Sequence, residues 1–146
     1  MIMLKRALFW SLAALLLSTG SAAAADLNVS DARLRLLPGD LPGAGYFTLH
    51  NTSDSAVTLT GASSKAFDKV MMHVSTEEGG MAQMHAVDKV DIASGESVSF
   101  APKRHHLMFM QRTQALKVGD SIDVTFTFKA HTPLPVTFDV VSPTTQ

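Results

Sequence analysis

The run Ser121-Ile-Asp-Val-Thr-Phe-Thr-Phe128 alternates without a break. Ile122, Val124, Phe126 and Phe128 fall at every second position, with Asp123, Thr125 and Thr127 between them. A period of two is that of a strand with one face on a core and the other in water. The same reading extends outward. Residues 135–141 alternate too, after a loop around His131. Upstream, Val118-Gly119-Asp120 is a turn, and 106–111 is a strand led in by 102–105. Ser94-Gly95-Glu96 is a turn before a strand at 97–100. Residues 69–90 read as a hairpin closed by Gly79-Gly80. Earlier strands are expected at 57–61, at 44–50 and across 26–37, with polar turns at 51–55 and around Pro38-Gly39-Asp40 and Pro42-Gly43. Residues 62–67 read as a loop or a single helical turn. No segment carries a long helical period, so the pattern predicts an all-β sandwich or barrel.

The first residues supply an address. Lys5 and Arg6 precede an apolar run at 7–17, and small residues follow at 21–25. This is the arrangement of a secretory signal peptide, expected at 1–25. The run is shorter than the roughly 20 apolar residues of a membrane span. About 120 residues remain, 26–146, which suits one domain. With no cysteine, the chain has no disulfide and no acceptor for a lipoprotein anchor. The domain is therefore expected to be periplasmic, without a membrane span. A net charge of −1 and the absence of a basic run argue against nucleic acid as a partner.

Chemistry concentrates between residues 71 and 110. Every methionine after the leader lies there: Met71, Met72, Met81, Met84, Met108 and Met110. So do His73, His85, His105 and His106. Thioether and imidazole without thiolate is a donor mixture that suits Cu(I). In His106-Leu107-Met108-Phe109-Met110, alternation turns His106, Met108 and Met110 to one side and leaves Leu107 and Phe109 for the core. On the preceding strand, Val70, Met72 and Val74 share the apolar face, while Met71 and His73 project the other way. Met84, on the returning arm of that hairpin, can meet His73 across it.

These residues resemble a known family. His73, Met84, His106 and Met108 have the spacing H-x10-M-x21-H-x-M of the periplasmic copper chaperones called PCu(A)C. The resemblance extends over nearly all of the chain after the leader. Ala44-Gly45-Tyr46-Phe47-Thr48-Leu49 with Asn51, and Gly61-Ala62-Ser63-Ser64, are similar to segments of that family, as is the His106–Met110 run. The resemblance implies a cupredoxin-like, Greek-key β-sandwich that binds Cu(I) through His73, Met84, His106 and Met108. It also implies delivery of copper toward the CuA centre in cytochrome c oxidase subunit II, alongside a Sco-type thiol protein. His105 departs from the family, standing where an aromatic or small residue is usual. The tail at 142–146 lacks the His and Met residues that some relatives carry.

The other residues have ordinary readings. Met72 belongs to the core. Met71, Met81 and Met110 either rim the site or pack beside it. His50 and His131 read as solvated, and His85 points away from Met84. His105 points away from His106, although its place at the strand start lets it swing toward a metal. Whether Cu(II) binds at a secondary site stays open. A blue-copper site needs a Cys thiolate, and zinc prefers His, Cys and carboxylates, so both fit poorly. No enzyme motif is present, which leaves a non-catalytic β-sandwich interaction protein or a general copper-buffering protein as the competing readings.

Overall fold

The computed structural model describes residues 26–144. The expected signal peptide at 1–25 lies outside the described residues. Ten strands follow one another: β1 Leu27–Arg35, β2 Gly43–Asn51, β3 Val57–Ser63, β4 Phe67–Glu78, β5 Met81–Ala86, β6 Val90–Ile92, β7 Ser97–Phe100, β8 His105–Arg112, β9 Ser121–Lys129 and β10 His131–Val141. They pair in the order β5-β4-β8-β2-β1-β10-β9-β3-β6, with β7 also on β2. Distant parts of the chain are interleaved, as Greek-key connections require. The parallel β1–β10 pairing (Leu34 beside Val140) is the seam at which the path doubles back on itself. The expected all-β, cupredoxin-like architecture is the observed one.

Aromatic rings fill the space enclosed by that fold. Phe47 of β2 lies 4.4 Å from Phe100 of β7 and 4.7 Å from Phe126 of β9, centroid to centroid. Phe109 of β8 meets Phe67 of β4 at 5.1 Å and Phe138 of β10 at 5.9 Å. The four apolar residues read from the alternation of β9 are all buried. Each such side chain contributes about 1.5–3 kcal/mol when fully buried. Asn51 ties the loop after β2 to the end of β6 from a buried position. Its amide nitrogen donates to the carbonyls of Ser55, Ile92 and Ala93, and its side-chain oxygen accepts from the amide and hydroxyl of Ser53.

Three local expectations need correction. Residues 62–67 form no helical turn: β3 runs to Ser63, and a tight turn bridged between Ser64 and Phe67 opens β4 at once. The 69–90 hairpin ends at Ala86, because Val90–Ile92 leaves β4 and pairs with β3. No wide loop surrounds His131, since only Ala130, at a φ of 56°, separates β9 from β10. The tip at Gly79-Gly80 is as expected, with φ of 61° and 79° between the paired Glu78 and Met81. Two positive φ angles in a two-residue loop match the right-handed twist of the strands, and glycine adopts them without steric cost.

Gly45 seats the strand that carries the His106–Met110 run. It pairs with Leu107, and a Cβ at Gly45 would run into the Phe109 ring and stand 3.1 Å from the Leu107 Cβ. Gly45→Ala is expected to displace the Phe109 ring within the core and to cost about 1–3 kcal/mol by overpacking. The midpoint of urea unfolding measures it.

Candidate metal centre

The site is set by the way β8 lies between β4 and β2. In the β4–β8 ladder His73 is opposite His106, Met71 opposite Met108 and Lys69 opposite Met110. Directly opposed residues share a face, with Cβ atoms about 4.5–5.5 Å apart. On the other side of β4, Met84 of β5 is opposite Ser75 and so diagonal to His73. All these residues therefore lie on the outer face. The inner face takes Val70, Met72, Leu107 and Phe109 into or against the core.

The outer face brings His73, Met84 and His106 into contact. The His73 Nδ1 is 3.2 Å from the Met84 sulfur. The His73 and His106 rings meet edge to face, with centroids 5.7 Å apart and planes at 88°. Met108 is half-buried two positions along the strand from His106, between Met71 on β4 and Ala44 on β2. The structure thus gathers three of the expected residues directly and places the fourth in the next row of the same face.

His106 is only 6% exposed, unusual for an outward-facing histidine. Its Nδ1 lies 3.2 Å from the Arg104 carbonyl oxygen, so Nδ1–H donates to that carbonyl. Donation from Nδ1 leaves a lone pair on Nε2 of the neutral ring, the form in which imidazole binds a metal. That Nε2 is buried and has no hydrogen-bond partner. Buried polar atoms are nearly always satisfied, and among the five described side-chain atoms that are not, His106 Nε2 is the one nitrogen with a lone pair free to bind a metal. Among the described residues, no three His, Asp or Glu side chains gather into a group. The donors that gather on this face are two imidazoles and a thioether.

The remaining histidines are accounted for. His105 turns to the other face and stacks on Phe100 at 5.4 Å. His85 is exposed, 3.9 Å from the Glu78 carboxylate. His50 hydrogen-bonds the Ser97 hydroxyl at 2.6 Å, and His131 donates to the Thr132 carbonyl at 2.8 Å. Met72 is buried as expected, and Met81 stands exposed on the opposite face of the hairpin from Met84. Alternation turns Met71 and Met110 outward, and the register adds that both stand beside Met108. Which strands pair is what alternation does not report.

The fold is that of a cupredoxin-like domain with histidine and methionine side chains clustered on one outer face. The model of the LpqE-like lipoprotein family matches residues 27–140. The chain belongs to the LpqE-like family, and its fold is that of PCuAC domains. The Cu(I)-bound DR1885 protein of Deinococcus radiodurans, solved in solution, is 29% identical, with 84% of this chain and 83% of that one covered and a TM-score of 0.65. The copper-bound PCuAC domain from PmoF2 has the same fold, at 20% identity, coverage of 83% and 97%, and a TM-score of 0.69. The uncharacterised protein RP573 of Rickettsia prowazekii is 32% identical over 90 residues, or 61% of this chain and 50% of that one. The chain spans about half the length of the curated relatives it matches. Among the described residues, no helix is long and apolar enough to cross a membrane.

Burial, and then the neighbouring charge of His106, lowers the pKa of His73 from its ordinary 6.5. The same causes lower that of His105. A lowered imidazole pKa means that the unfolded chain binds more protons, so stability falls as pH drops below about 6.5 and levels off beneath the folded values. In the metal-free protein, nuclear magnetic resonance titration is expected to give midpoints below 6.5 for both His73 and His105. The urea midpoint is expected to fall over the same range.

Proposed function

We propose that this chain is an exported carrier of Cu(I), holding the ion through His73, Met84, His106 and Met108. The observation that carries the reading is the bare, buried Nε2 of His106, fixed in its lone-pair tautomer beside His73 and Met84. Thioether sulfur and neutral imidazole bind monovalent copper well and disfavour harder ions. The donor set has no formal charge and lacks thiolate, so the ion is held and can still be surrendered. The half-exposed Met84, on an edge hairpin paired only with β4, is the donor most open to an incoming acceptor. The Cu(I)-bound relative of the same fold supports copper as the cargo.

The leader pattern at 1–25 and the lipoprotein character of the family support a periplasmic location. There the recipient we infer is the CuA centre in subunit II of cytochrome c oxidase, with a Sco-type thiol protein as co-worker. Copper buffering without a dedicated recipient is the alternative, and loss of assembled CuA in a deletion strain separates the two.

A titration of the domain with Cu(I) under reducing conditions, against a chromophoric chelator, is expected to show one tight equivalent. Met108→Leu is expected to keep the fold and lower the affinity, and replacing His106 as well is expected to abolish the tight equivalent. His131→Ala, altered well away from the site, is expected to bind like the parent. A parent that binds no Cu(I) would refute the carrier reading.

A further inference from the structure

Beyond the His pair, the same outer face continues as three thioethers. Met71 is directly opposite Met108, and Met110 follows Met108 two positions along β8 on the same side. In an antiparallel pair, direct and diagonal neighbours are both within reach of long side chains, so Met71 can meet Met108 and Met110 together. All three are half-buried, although the core beneath is already filled by Met72, Leu107 and Phe109. Packing therefore does not require methionine at these positions. Around the trio on this face stand His73 and His106 at one end, the exposed Lys69 at the other and the small Ala44 on β2.

Resting on the reading of His73, Met84, His106 and Met108 as a Cu(I) site, we infer that Met71, Met108 and Met110 form a second, weaker position for the same ion. Met108 is common to both. The ion passes between the two by ligand exchange, remaining monovalent throughout. The Met108–copper bond persists, the two imidazole nitrogens and the Met84 sulfur leave, and the Met71 and Met110 sulfurs enter. Three thioethers satisfy a soft monovalent ion. The second position is the weaker because it has no imidazole and because the Lys69 ammonium stands at its end. Such a step lets copper move along β8 without being released to water.

The test uses Ag(I) as a stable soft monovalent probe and the methionine methyl resonances as the readout. A His73→Ala, His106→Ala variant is expected to retain one weakened equivalent that shifts the Met71, Met108 and Met110 methyls. Adding Met71→Leu and Met110→Leu is expected to remove it. No residual binding in the His variant, or residual binding indifferent to the two leucines, would overturn the second position. In the parent background, Met71→Leu with Met110→Leu is expected to keep the tight Cu(I) equivalent and slow its transfer to a chelator. An unchanged transfer rate would also overturn it. By contrast, a His variant that binds as tightly as the parent would refute the imidazole site itself.

Discussion

The pairing register of β4 on β8 is the constraint on which the rest depends. A slip of one residue turns every side chain to the opposite face. It would send His106 and Met108 into the core and Leu107 and Phe109 into water. Two features hold the register. One is the apolar inner face, on which Leu107 and Phe109 are fully buried against Met72 and the surrounding rings. The other is Gly45, whose missing side chain leaves room for the Phe109 ring to lie across β2 on the core face. The core thus sets the angle and spacing of the donors on the outer face, so that packing and site are specified together.

The tautomer of His106 adds the chemical half. Arg104 supplies a carbonyl from the turn just before β8, a turn tied down by the Ser75 amide donating to the same carbonyl and by hydrogen bonds between Ala101 and its neighbours. A backbone acceptor cannot titrate away. In the neutral ring it leaves the lone pair on Nε2, which lies in a buried space. The imidazole of His73 is biased to the neutral form as well, by burial and by its neighbour. The His73 ring is therefore neutral, the form that binds a metal, to a lower pH than free imidazole.

Much of this was legible in the sequence because strand alternation reports faces directly. The separation of Leu107 and Phe109 from His106, Met108 and Met110 follows from period two alone. So does the core face of β9. Even the irregularity in β1 shows as a change of phase, from Leu27 and Val29 to Ala32 and Leu34, where Asp31 takes a φ of 54° and the register shifts. Alternation does not report neighbours. That Met71 stands opposite Met108, or that Val90–Ile92 joins β3 rather than extending the hairpin, depends on pairings between residues far apart in the chain. Asn51 looked like one more polar residue of a turn, since its value lies in carbonyls contributed by residues about forty positions away.

The most direct measurement is X-ray absorption at the copper edge of the domain loaded with one equivalent of Cu(I). A first shell of mixed imidazole nitrogen and thioether sulfur is expected, with the sulfur contribution reduced in Met108→Leu. A shell of nitrogen and oxygen alone, unchanged by that substitution, would contradict the site built on the β4–β8 register.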